Sequence, residues 1–222
     1  MNDKLIDISE IIKNFDKDGY LVSENFLNKK ECDELLRRML IDWGKENRSS
    51  IHGKDFRIHS PIKANLFTRS IIDRIVKDNK CLLKNFFKDE VPWLVEFSSI
   101  CVFPNAKRQP IHRDQQFFNK KLITFFINLF DVKDAHGPLA VIKGGHKVTN
   151  EKDFSSNELT KLTINEGSYI LMNSLLPHAG CENTSKCSIR PVFYFSIGDP
   201  DLDGPEYSIS ENLWKKVKFD LD

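Results

Sequence analysis

The stretch LVEFSSICVFPNAKRQPIHRDQQFFNKKLITFFINLFDV, residues 94–132, decides how the chain is read. Two long runs rich in aromatic and β-branched residues, LVEFSSICVF (94–103) and KLITFFINLFDV (121–132), flank PIHRDQQFF (110–118), which reads as a third, shorter strand. In the middle segment His112 and Asp114 are two residues apart. On a strand, positions i and i+2 face the same side about 6–7 Å apart, so an imidazole and a carboxylate can converge on one ion.

Working outward, the strand-like runs continue as PLAVIKG (138–144), TKLTINEGSYILMNS (160–174) and RPVFYFSIGD (190–199), separated by turn residues. Six or seven strands with long loops predict a mainly β protein built as a two-sheet barrel or jelly roll. The first ninety residues carry helical signals instead. LIDISEIIKNFDKDGY has apolar residues at 5, 8, 11, 12 and 15 and is stopped by Gly19; Asn28 can cap a helix through KKECDELLRRMLIDWGKE; and a third helix spans TRSIIDRIVKDNKCLLKNFF. YLVSENFL reads as a short strand, and RSSIHGKDFRIHSPIKA as a loop with one strand at FRIHS. The expectation is one domain over 1–222: helices to about 90 packed on one sheet, a β-barrel core over about 91–198, and a tail, 199–222, that is a docked segment or an oligomer contact.

Composition narrows the function classes. The 222 residues include 33 basic and 32 acidic side chains, so there is no electrostatic case for nucleic acid or an anionic membrane. The longest apolar run, LITFFINLF, falls far short of the roughly 20 residues of a membrane span, and MNDKLIDISE lacks a signal peptide's apolar region, so a cytoplasmic protein is expected. Five cysteines with no CxxC pair argue against a disulfide framework or a structural zinc site.

Of six histidines, at 52, 59, 112, 136, 146 and 178, His112 and His178 stand out. His178 follows the strand SYILMNSLLP, and Arg190 opens the next strand twelve residues later. Two imidazoles and a carboxylate on one side of an ion, with its other positions open, is the donor set of a non-haem Fe(II) oxygenase. In RPVFYFSI, alternation puts Arg190, Val192, Tyr194 and Ser196 on one face and Pro191, Phe193, Phe195 and Ile197 on the other. An inward Arg190 needs an anionic partner, and its planar fork suits a carboxylate such as the distal one of 2-oxoglutarate.

With these residues in place the sequence resembles the phytanoyl-CoA dioxygenase family of Fe(II)/2-oxoglutarate-dependent oxygenases. The resemblance is carried by FDKDGYLVSENFLNKKECDELLRRM (15–39), IHRDQQFF (111–118), NLFDVKDAHGPLAVIKGGHK (128–147) and GSYILMNSLLPHAGCENTSKCSIRP (167–191), and it runs from about 15 to 198. It implies a double-stranded β-helix, the jelly-roll form shared with cupins. It also implies His112, Asp114 and His178 as Fe(II) ligands, Arg190 as the partner of 2-oxoglutarate, and O2 as the second cosubstrate. His136 and His146 read as turn residues. Because Asp114 stands where related halogenases carry a small residue, the resemblance implies hydroxylation, with release of succinate and CO2.

Strand parity extends the pocket. If Thr124 faces the site, Leu122, Phe126 and Asn128 do too, while Ile123, Phe125, Ile127 and Leu129 pack against the helices. Thr124 and Phe126 are expected against the cosubstrate, Ser99 beside them on a face with Phe97 and Cys101, and Asn128, Arg57 and His59 as substrate contacts. The polar 45–65 stretch, with Lys54, Arg57, His59 and Lys63, points to a small polar or anionic metabolite as substrate, handled by a monomer or homodimer. Two other readings remain: a cupin-like metal dioxygenase or isomerase that does not use 2-oxoglutarate, and a non-catalytic jelly-roll binding module. The cupin would show HxH and a glutamate and would not need Arg190.

Overall fold

The structure is a computed structural model and describes residues 8–46, 56–61, 65–88, 90–149, 154–199, 202 and 217–221. Its elements in chain order are α1 (Ile8–Asp18), β1 (Tyr20–Ser23), α2 (Lys29–Glu46), β2 (Arg57–Pro61), α3 (Leu66–Asp78), α4 (Lys80–Phe87), β3 (Trp93–Val102), β4 (Leu122–Asn128), β5 (Leu139–Val141), β6 (Thr160–Leu162), β7 (Tyr169–Asn173), β8 (His178–Gly180) and β9 (Arg190–Gly198). Six strands form one antiparallel sheet in the order β1-β7-β4-β9-β3-β2, and three form a second in the order β6-β5-β8. The jelly-roll core with helices on one sheet is therefore present.

The helices start and stop where their ends are satisfied. Gly19 ends α1 at φ +82°, and a side chain there would collide with His146 and Leu176. Asn28 opens α2: its Oδ1 accepts from Glu31 N at 3.1 Å while Glu31 Oε2 accepts from Asn28 N at 3.0 Å, a reciprocal cap. The third helix expected from the sequence is two helices. Asn79 leaves helical geometry, and its amide is drawn to Ile75 O at 2.8 Å and Tyr169 Oη at 2.7 Å, which pins the junction to the sheet.

Alternation along the central strands divides two cores. Ile123, Phe125, Ile127, Phe193, Phe195 and Ile197 face the helices and pack with Phe15, Leu35, Ile71, Ile72, Leu83 and Phe87. Leu139, Val141, Leu162, Ile170, Met172 and Leu176 fill part of the space between the sheets. Across the join of β4 and β9, Phe125 and Phe195 stack with ring centroids 4.6 Å apart.

Residues 94–118 depart from the expected pattern in two places. PIHRDQQFF is not a strand: apart from one bridge at His112 it is irregular, and Pro110 at its start has no N–H to give a ladder. On β3, the register shifts between Leu94 and Glu96, a bulge that reverses parity along the strand. Leu94 before the bulge and Phe97 and Cys101 after it all face the helices, whereas Glu96 and Ile100 face the space between the sheets. Ser99, opposite Phe193, is on the helical side with Phe97 and Cys101.

Of the tail, residues 217–221 are docked. Leu94 N donates to Val217 O at 2.9 Å, Phe219 N donates to Pro92 O at 3.0 Å, and Phe219 and Leu221 join the helix-side core. All five cysteines are unbridged. Truncating the fully buried Phe125 to alanine is expected to lower unfolding free energy by about 3–5 kcal/mol, read from urea denaturation. Leu66→Ala, at a residue 90% exposed, is expected to move it by less than about 0.5 kcal/mol.

Candidate active site

One backbone contact builds the centre of the site. His112 N donates to His178 O at 3.0 Å and His178 N donates to His112 O at 2.9 Å, so the two residues form an antiparallel hydrogen-bonded pair. Side chains of such a pair lie on the same face, and here the imidazole centroids are 4.3 Å apart. Asp114 is tied separately, its N–H donating to Ser174 O at 3.0 Å at the end of β7. Its Oδ1 lies 3.3 Å from His178 Nε2 and 4.0 Å from His112 Nε2, and the three potential ligand atoms all fall within 4.8 Å of one another.

Both rings are fixed in the tautomer a metal needs. His112 Nδ1 is 2.9 Å from Pro110 O, and His178 Nδ1 is 2.9 Å from Leu176 O, in each case the carbonyl two residues earlier. A carbonyl can only accept, so Nδ1 carries a proton in either charge state, and when the ring is neutral the Nε2 lone pair faces Asp114. Burial acts to raise the Asp114 carboxyl, but the His178 charge and hydrogen bond, with His112 and Thr124, outweigh it and hold the group below its ordinary range. Burial likewise acts to lower His178, and pairing with Asp114 raises it instead. His112 is lowered, first by burial and then by His178. Two imidazoles and an ionised carboxylate on one side of a point open to a cavity fit an Fe(II) ion with vacant positions.

That cavity measures about 370 Å³ and lies between the sheets. Of the residues expected in it, Thr124, Phe126, Asn128, His59 and Arg190 line it together with the triad. Thr124 is engaged by hydroxyls, 3.1 Å from Ser174 Oγ and 2.9 Å from Ser196 Oγ, and it also bonds the Asp114 carboxyl. Its service is to orient that acid. Ser99 is absent from the lining because the β3 bulge turns it to the helices.

Arg57 does not line the cavity either. It is buried and donates to Lys107 O, Gly180 O and Cys181 O, joining β2 to β8 and to the segment after β3. Gly180 is required at that crossing, since a Cβ there would meet Gln109 Oε1 at 2.5 Å. Lys54 and Lys63 lie outside the described residues.

Arg190 is the second pole of the cavity. It opens β9 opposite Val102, is 6% exposed, and its Nε finds no partner among the described residues. Burial and the nearby Arg57 charge push its pKa down to about 10, and among the described residues no carboxylate acts on it. A buried guanidinium without a protein anion is a strong cost unless a ligand supplies the charge, and a carboxylate does so through two hydrogen bonds. The residue set therefore fits 2-oxoglutarate as well as the metal.

Sequence reasoning missed Glu96, Gln109, Leu139 and Ile170. Glu96 had a visible signal: it is the one charge in LVEFSSICVF, a run whose strand is buried on both faces. It is 4% exposed and hydrogen-bonded to Ser196 Oγ at 3.2 Å and to the Tyr194 hydroxyl. Burial, then the Asp114 charge, pushes its carboxyl up to about 8.

An open His-Asp-His site and an unmatched arginine inside a jelly roll define the class of non-haem iron enzymes that use a keto-acid cosubstrate. Residues 15–192 match the phytanoyl-CoA dioxygenase (PhyH) family, and the chain belongs to it. With that family it is an Fe(II)- and 2-oxoglutarate-dependent oxygenase that takes O2.

Similar solved structures include the non-heme alpha ketoglutarate dependent epimerase SnoN from nogalamycin biosynthesis, with a TM-score of 0.71 and 13% identity over 93% of this chain and 92% of that one. The non-heme alpha ketoglutarate dependent carbocyclase SnoK of the same biosynthesis has a TM-score of 0.66 and 16% identity over 86% and 84% of the two chains. AviO1 from Streptomyces viridochromogenes Tue57 has a TM-score of 0.59 and 16% identity over 90% and 97%. These likenesses are of fold. No curated protein matches the sequence. Among the described residues no helix is long and apolar enough to cross a membrane.

The shifted acid gives a pH-dependent prediction. Between about 4.5, its ordinary value, and about 8, Glu96 keeps its proton in the folded protein and releases it in the unfolded one. The unfolded state thus binds fewer protons, and the group lowers stability as pH rises through that window. Metal-free Glu96→Gln is expected to melt above wild type at pH 8, with the gap closing toward pH 4.5, as followed by scanning fluorimetry across pH.

Proposed function

We propose that the protein hydroxylates a C–H bond of a small polar metabolite, with His112, Asp114 and His178 holding Fe(II) and Arg190 holding the distal carboxylate of 2-oxoglutarate. One oxygen atom of O2 enters the substrate as hydroxyl and the other enters succinate, while the keto acid loses CO2, so the atoms balance. Iron, when bound, supplies the oxygen activation that no side chain can provide. The chain's own contribution is to orient Asp114 through Thr124, to fix both imidazole tautomers through backbone carbonyls, and to offer the cosubstrate an arginine already stripped of water.

The observation that carries this reading is Arg190. A cupin-like enzyme without the keto acid, or a binding module, has no use for a buried cation that lacks an anion in the same cavity as three convergent ligand atoms. The cavity is at the small end of the range for ligand sites, which favours a small metabolite over a long acyl thioester. Two structural neighbours are described as an epimerase and a carbocyclase. Asp114, which completes the donor set, favours hydroxylation over halogenation, and hydroxylation is the outcome proposed here. A single domain suits this reading: the helices and the docked 217–221 segment pack on one face of the six-stranded sheet, and the three-stranded sheet packs on the other.

Anaerobic mixing with Fe(II) and 2-oxoglutarate is expected to produce the weak metal-to-ligand absorption band of such complexes. His112→Ala should abolish it, and Arg190→Ala should require about tenfold to hundredfold more 2-oxoglutarate, the loss of a charged hydrogen-bonding partner. An unchanged 2-oxoglutarate requirement in Arg190→Ala would contradict the assignment.

A further inference from the structure

We propose that Glu96 is a specificity-determining residue that receives a protonated amine of the substrate. The inference rests on the oxygenase reading of the same pocket and names what that pocket selects. Its starting point is the β3 bulge. Leu94 packs among the helices, and without the register shift Glu96, two residues on, would point there too. The extra residue turns the carboxyl inward, into the cavity that also holds the triad and Arg190.

Once inside, the acid has hydrogen bonds but no countercharge. Ser196 and Tyr194 bond it, and among the described residues no cation acts on it, so it stays protonated up to about pH 8 unless a bound cation draws the proton off. The cavity therefore holds a guanidinium and, separately, an acid that ionises when a cation is seated beside it. Arg190 and Ser196, the β9 residue paired with Glu96, are six positions apart, roughly 20 Å along an extended strand. One dicarboxylate cannot use both ends. The Arg190 end suits the distal carboxylate of 2-oxoglutarate. The Glu96 end lies next to Thr124 and through it Asp114, so a substrate group seated there is beside the iron ligands.

The walls at that end favour a cation. Tyr194 and Phe126 stack with centroids 5.9 Å apart, and aromatic faces attract positive charge. Ile100 and Val192 keep the surroundings apolar, where a charge pair is stronger than in water. An anionic substrate would face Glu96 without help from Arg57, whose guanidinium is engaged by three carbonyls, while Arg113 donates to Gly145 O and Val148 O and lies over Phe118 and Phe154. The substrate proposed is accordingly an amine-bearing metabolite rather than an anion.

The test uses two probes of the same shape, cyclohexylamine and cyclohexanol, titrated calorimetrically under nitrogen into the protein supplied with Fe(II) and 2-oxoglutarate at pH 8.5, where the Glu96 carboxyl is mostly ionised and the amine still protonated. The amine is expected to bind at least about tenfold more tightly than the alcohol, and Glu96→Gln to bring the two within about twofold. Binding of the alcohol as tight as the amine in wild type, or an amine preference that survives in Glu96→Gln, would overturn the proposal. The absorption band before probe addition reports separately on the iron and 2-oxoglutarate reading. Its absence with a Glu96-dependent amine preference would sink that reading and keep this one.

Discussion

The site depends on a reciprocal pair of backbone hydrogen bonds between His112 and His178. A segment broken by Pro110 cannot form a regular ladder, yet this one bridge fixes it against β8 and sets two imidazoles side by side. Asp114, held by Ser174 at the end of β7, then reaches both rings. One ligand residue is thus anchored to the larger sheet and two to the smaller. An ion among them would tie the sheets together, coupling metal binding to the stability of the barrel.

The electrostatics of the cavity follow from what burial leaves unmatched. Proteins rarely enclose a guanidinium or a carboxyl without a partner of opposite charge, and among the described residues this cavity encloses one of each at separate ends. Arg190 and Glu96 lie six β9 positions apart and do not pair. Keeping them apart costs stability and leaves two directional features, each complementary to a charged end of a small molecule.

Much of this was legible in the residues themselves. The spacing of His112 and Asp114, the later His178, and an arginine opening an alternating strand are local patterns, but His112 and Asp114 are brought together by the bridge to His178 and the hydrogen bond to Ser174 rather than by a strand. The faces of β4 and β9 were readable from strand alternation. What failed was non-local. The Leu94/Glu96 bulge is set by pairing with β9 and cannot be seen in a run buried on both sides, so Ser99 was placed in the pocket and Glu96 was overlooked. Arg57 reads as a pocket cation until the carbonyls of Lys107, Gly180 and Cys181 are brought to it across the fold. The break at Asn79 likewise depends on Tyr169, ninety residues away.

The most direct test of the central claim is a crystal structure of the protein soaked anaerobically with Mn(II), as a stand-in for Fe(II), and 2-oxoglutarate. The account predicts an anomalous-scattering peak bounded by His112 Nε2, Asp114 Oδ1 and His178 Nε2, with the far carboxylate of the keto acid against the Arg190 guanidinium. A peak elsewhere, or a keto acid bound away from Arg190, would contradict it.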